Sequence, residues 1–171
     1  MSDGSRPEAD LVAVDVLVET DGWSAVPDAA AIVEAAVRAA CAAAAPGLEP
    51  GTEVAVMLTD DAHIRVLNRD WRGKDKATNV LSFPAPDEDA FQEAPHLGDI
   101  AIAFETTQRE AAEEGKPIAH HLAHLAVHGA LHLIGHDHED GEEAEAMEAT
   151  ERRVLAGLGV PDPYAETEPV I

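Results

Sequence analysis

Cysteine, aromatic side chains and basic residues are all scarce in this 171-residue chain. The single cysteine, Cys41, excludes an internal disulfide and a cysteine-built zinc knuckle, and it suits a reducing compartment. Aromatics make up only 4%, so the core has to come from Val, Ile, Leu and Ala on regular elements. Against 34 Asp and Glu stand only 11 Lys and Arg, a net charge of −23. Spread evenly, that surplus repels a nucleic-acid backbone and an anionic membrane surface. No stretch is long and apolar enough to span a bilayer: the longest, Ala29 to Ala45, carries Glu34 and Arg38 and is mostly alanine. The first ten residues are acidic and lack the apolar region of a signal peptide. A cytoplasmic protein without a membrane partner is the expectation, and no internal repeat is visible.

What is present is an alternation of strand and helix signals. Val- and Leu-rich segments at 11–19, 53–58, 79–83 and 97–102 read as four strands. Helices are expected after Pro27 and Asp28, after a cap at Thr59 or Asp60, from about 106 to Gly115, from Pro117 to about Gly135, and from about Glu142 to Leu158. The proline-rich, acidic stretch Pro84–His96 reads as a mobile loop. Strands come early and the last third is all helix, so the fold class is α+β, a mixed four-stranded sheet packed against helices. The expected organisation is a flexible N-terminus over 1–9, one domain over 10–160 and a tail over 161–171.

Five of the nine histidines fall within His124–His138. His128 and His132 are four residues apart on a predicted helix, so both rings share one face and can bind one ion. Gly135 ends the helix three residues on, and the chain can turn back to offer His138. Spacing of i, i+4 and i+10 with a glycine at i+7 is that of zincin-like, three-histidine metal helices. The set His128, His132 and His138 leaves one position open on the ion, the catalytic form of such a site. One zinc ion is the cofactor expected, another divalent metal being the alternative. Zinc peptidases of this type place Glu directly after the first histidine as general base; here Gly129 stands there and can take no proton. His120, His121 and His124 read as supporting or structural residues, His136 as a competitor of His138, and His63 and His96 as ordinary.

A second feature is charge. Between Arg65 and Lys76 lie five bases, Arg65, Arg69, Arg72, Lys74 and Lys76, against Asp70 and Asp75. On its own this is an ordinary solvated helix end; beside a metal site in an acidic protein it can focus a phosphate group. Arg72, whose fork suits phosphate oxygens, is expected to line the metal cleft, with Lys74 and Lys76 on the approach. Asp99 and Asp137 are candidates to hold a ligand histidine in one tautomer. The acids of the last helix, Glu139, Asp140, Glu142, Glu143, Glu145, Glu148 and Glu151, are expected to face solvent away from the site.

Three blocks, Leu67–Pro84, Leu97–Ile100 and His128–His138, resemble the signature of the YbeY family of bacterial rRNA maturation factors, in the family's order and over residues 50–155. The resemblance implies a sheet packed against helices and a single-strand-specific, metal-dependent endoribonuclease. Its role would be maturation of the 3′ end of small-subunit (16S) rRNA and ribosome quality control. It implies zinc on His128, His132 and His138 and a functional arginine at Arg72, hence Arg72 and His128 as the catalytic pair. The implied partners are single-stranded RNA, small-subunit rRNA and the ribosome, with no DNA. Three positions depart from the pattern: His136 replaces a usual Tyr, Ala77 a usual Pro and Asn79 a usual Asp. The rivals are a zinc peptidase or amidase with an unconventional base, and a non-catalytic, zinc-stabilised ribosome assembly factor.

Overall fold

A computed structural model describes residues 12–85, 96–135 and 141–163. The element order is β1 (Ala13–Val18), a short 3-10 helix (Asp21–Ala25), α1 (Ala29–Ala44), β2 (Glu53–Thr59), α2 (Asp61–Arg72), β3 (Val80–Pro84), β4 (His96–Ala103), α3 (Phe104–Glu114), α4 (Ile118–Ile134) and α5 (Gly141–Gly157). Every expected strand and helix is found within about two residues; the 3-10 turn was not anticipated. It forms because Trp23 is drawn inward, its Nε1 donating to Thr59 O at 2.9 Å and its ring meeting Phe104 edge-on at 5.1 Å. The acidic loop expected at 84–96 and both expected flexible ends lie wholly or largely outside the described residues.

The sheet runs in the order β1-β2-β4-β3, with β1 and β4 parallel to β2 and β3 antiparallel to β4. Side chains alternate between its faces. Val54, Val56, Leu58, Ile100 and Ile102 point into the main core with α1, α4 and α5. Ala101, Ala103 and Leu81 point the other way, where Ile64 and Leu67 of α2 cover them. The α2 helix and the histidine helix α4 therefore lie on opposite faces of the sheet.

Two glycines let α4 approach closely. A Cβ on Gly129 would stand 3.0 Å from Ile100 Cγ2 and 3.2 Å from Ser82 Oγ. On Gly98, which has φ +153°, a Cβ would stand 2.6 Å from Leu133 Cδ2. Ser82 Oγ donates to Gly129 O at 2.9 Å and ties β3 to α4 beside His128. At the other end of the sheet α2 and α3 cap each other. Glu105 accepts from Asp61 N at 2.8 Å, and Asp61 accepts from Thr106 N at 3.1 Å and Thr106 Oγ1 at 2.7 Å. Among the described residues no helix is long and apolar enough to cross a membrane.

Candidate metal centre

Helix α4 is apolar through most of its length, and its buried face carries Leu122, Leu125, Ala126, Ala130 and Leu131. His124, His128 and His132, one turn apart, form a half-buried stripe beside that face. Gly135 ends the helix in the left-handed region, φ +110°, as the sequence requires. His128 Nε2 and His132 Nε2 face each other at 3.1 Å. Two nitrogens about 2.0–2.1 Å from one tetrahedral ion would be roughly 3.4 Å apart, so the pair needs to open by only a few tenths of an ångström. His138, the third expected ligand, its competitor His136 and the supporting candidate Asp137 lie outside the described residues.

The opposite nitrogen of His128 is fixed by a residue the sequence reading placed in solvent. Glu151 of α5 is 0% exposed. Its Oε2 lies 2.7 Å from His128 Nδ1 and its Oε1 3.0 Å from His124 Nε2. A buried carboxylate without donors would cost several kcal/mol, and two imidazole N–H groups offset part of that cost. With its proton on Nδ1, neutral His128 turns a lone pair at Nε2 toward His132. This carboxylate–histidine arrangement orients a metal ligand and raises its basicity. The same atoms also form a compact donor set, His124, His128 and Glu151, all within 4.8 Å of one another.

The expected outward-facing acid run is thus corrected at Glu151. Glu142 and Glu145 are exposed and Glu148 is half-buried, while Glu139 and Asp140 lie outside the described residues. A signal for Glu151 was present in the sequence. Met147, Val154 and Leu155 are buried, and Glu151 stands with them at i+4, i+7 and i+8, on the apolar stripe of α5. The carboxylate behind His128 is therefore Glu151, whereas Asp99 accepts from His96 Nε2 at 2.9 Å. Asp99 lies on the same strand face as Ala101, away from α4, because strand side chains alternate.

Beside His128 opens a cavity of about 370 Å³, lined in part by Asn79, Glu110, Lys116, His121, His124 and His128. Glu110 Oε1 accepts from both His121 Nε2 at 2.8 Å and Asn79 Nδ2 at 3.0 Å. An Asp at position 79 would set two carboxylates against each other here, so the departure to Asn suits this acid. Burial pushes His121 below its ordinary value, against the pull of Glu110. Lys116 Nζ pairs with Glu114 at 2.7 Å. Acids line this cavity, so the negative charge is not wholly kept from the histidines.

Arg72, Lys74 and Lys76 are exposed, at the end of α2 and in the turn after it. That places them in the layer across the sheet from α4, and none of them lines the cavity. Only β3, the edge strand, separates the two layers there.

Gly129, the position of the missing peptidase base, faces the sheet. A side chain there would meet Ile100 and Ser82 before any ligand. A glutamate base is excluded by packing as well as by sequence.

Comparison with known proteins gives one consistent answer. The family described as endoribonuclease YbeY matches residues 22–159. The endoribonuclease YbeY of Azorhizobium caulinodans is 60% identical over 152 residues, covering 89% of this chain and 96% of that protein. That of Rhodopseudomonas palustris strain BisB18 is 59% identical over 161 residues, covering 92% and 95%. That of Bradyrhizobium diazoefficiens is 57% identical over 160 residues, covering 91% and 87%. The solution structure of a Thermotoga maritima protein shares the fold, with TM-score 0.50, 24% identity and coverage of 92% and 99%.

Proposed function

Because the chain belongs to the endoribonuclease YbeY family, we propose that it is a metal-dependent endoribonuclease that cleaves single-stranded RNA during maturation of small-subunit rRNA. The observation that carries the metal reading is His128 itself, its Nδ1 held at 2.7 Å by buried Glu151 and its Nε2 meeting His132 Nε2 at 3.1 Å. We take His128, His132 and His138 as the ligands of one zinc ion. Glu151 then serves from behind, since its two oxygens already accept from two histidines.

A bound divalent ion supplies Lewis acidity toward a phosphoryl oxygen. The chain's own residues do the rest. Glu151 keeps the Nε2 of His128 unprotonated and aimed. Arg72 offers a guanidinium fork to the phosphate, reaching round β3 from the α2 layer. With Gly129 packed on the sheet, no side chain at that position takes a proton. Lys74 and Lys76 steer the strand, and the ribosome in the cytoplasm is the setting.

The test is cleavage of single-stranded against duplex RNA by the wild type, by His128→Ala and by chelated protein before and after metal is restored. Single-strand cleavage lost in both treatments and regained with zinc supports the reading. Cleavage of an unstructured peptide but not of RNA would replace it with the peptidase. If Arg72→Ala spoils ribosome binding while a folded ligand variant retains full biological function, the protein is an assembly factor instead.

A further inference from the structure

The chain has two tryptophans, and they are treated in opposite ways. Trp23 is 2% exposed and hydrogen-bonded through Nε1. Trp71 is 71% exposed, in a protein with almost no aromatic side chains to spare. It is not a loose side chain. Its ring leans on Phe83 with centroids 6.1 Å apart. The turn after it is pinned to buried Asn68, whose O accepts from Lys74 N at 3.2 Å and whose Nδ2 donates to Lys76 O at 2.9 Å.

The charges around it complete the feature. Arg65 and Arg69 are paired, with Asp75 at 2.7 Å and Asp70 at 3.0 Å. Arg72, Lys74 and Lys76 make no ion pair with any described residue. Three uncommitted cations therefore follow an exposed, rigidly backed aromatic ring, in a chain of net charge −23. A ring that offers a flat face among free cations is complementary to a polyanion whose units carry flat bases. An apolar protein partner would gain little from those three cations.

We propose that Trp71 is a base-stacking platform for single-stranded RNA, and that the strand passes from it to His128 over the edge strand β3. The route follows from adjacent residues. Phe83 backs Trp71 on one face, while Ser82, the preceding residue, bonds Gly129 O next to His128 on the other. The far side of β3 pairs with no described strand. A strand crossing this edge puts one base on Trp71, its phosphates within reach of Arg72, Lys74 and Lys76, and a later phosphate at the histidines. This rests on the nuclease reading and adds to it the surface that grips the substrate's bases.

Intrinsic fluorescence tests the platform directly, because Trp23 is buried and the signal from ligand contact comes from Trp71. The probes are a short 2′-O-methyl oligoadenylate and an abasic sugar-phosphate oligomer of equal length and charge. The expected result is quenching by the oligoadenylate alone and, from the fluorescence anisotropy of end-labelled oligomers, binding roughly 5- to 100-fold tighter than that of the abasic oligomer. Trp71→Ala should erase that preference, Trp71→Phe should keep part of it, and the thermal midpoint of both should match the wild type. Equal binding of the two oligomers, or a preference that survives Trp71→Ala, overturns the platform and leaves the exposed ring to a protein partner. RNA cleavage by the wild type is scored alongside. Cleavage without base preference refutes the platform alone, whereas absence of both cleavage and binding refutes the nuclease reading and the platform together.

Discussion

Glu151 and His128, 23 residues apart and on different helices, meet through Oε2 and Nδ1 at 2.7 Å with the carboxylate wholly buried. Glu151→Gln preserves shape but can turn an amide N–H toward His128, which favours the tautomer with its proton on Nε2. The expected outcome is a roughly 10- to 100-fold loss of metal affinity in a protein that still folds. Competition with a chromogenic chelator measures it, and the spectrum of the cobalt-substituted protein should change in parallel. Unchanged affinity would show that the carboxylate serves packing only.

Gly129→Ala places a methyl group 3.0 Å from Ile100 Cγ2, a side chain that is 0% exposed and has no room to withdraw. Strain of about 1–3 kcal/mol offsets or exceeds the helix-propensity gain of about 1 kcal/mol, so denaturant unfolding should show no gain and a net loss of up to about 2 kcal/mol. Gly129→Glu should fold poorly and gain no peptidase activity. A stable Gly129→Glu variant would contradict the packing described for α4.

His121 is 4% exposed, and burial lowers its proton affinity. Its folded-state pKa lies below the unfolded value near 6.5, so the unfolded chain binds more protons between the two. The stability it contributes is full above about pH 6.5 and is lost as pH falls through the folded value. His63 has the opposite sign, raised first by its hydrogen bond to Asp60, but it is exposed and solvent screens the pair. Thermal midpoints of wild type and His121→Gln should therefore converge between about pH 7.5 and about pH 5. A gap that does not change with pH would contradict this account.

Few cations are free to meet RNA. If Arg72, Lys74 and Lys76 each neutralise one phosphate, the logarithm of the binding constant should fall against the logarithm of salt with a slope of about −2. Titration of single-stranded RNA at several salt concentrations gives the slope directly. A value near −5 would mean that another surface, or a partner, supplies the contacts.

Local signals carried most of the secondary structure. Asp60 caps α2 by accepting from His63 N at 2.9 Å, and Gly73 and Gly135 end α2 and α4 at φ +73° and +110°. The pairing of His128 with His132 was legible for the same reason, since four residues make one helical turn. Strand order was not, because parallel pairing of β2 with β4 depends on contacts across the intervening helix α2 and strand β3. The layer holding Arg72 depends on that order, and so does the distance between Arg72 and the histidines. Glu151 was misread because an acidic helix looks solvated when charge is counted and only looks inward when its apolar stripe is followed. The reason Gly129 must be glycine needed Ile100 and Ser82, neither of them a neighbour in sequence.

The dependence of His128 on Glu151 also sets an order of events in biosynthesis. The histidines of α4 leave the ribosome while α5 is still inside the exit tunnel, so a growing chain exposes the imidazoles before their acceptor can fold against them. Until α5 has emerged and docked on α1 and α4, His128 is free to take either tautomer, and the ligand face stays unformed. A protein that cuts RNA thus completes its main core and its centre in one step, when α5 docks.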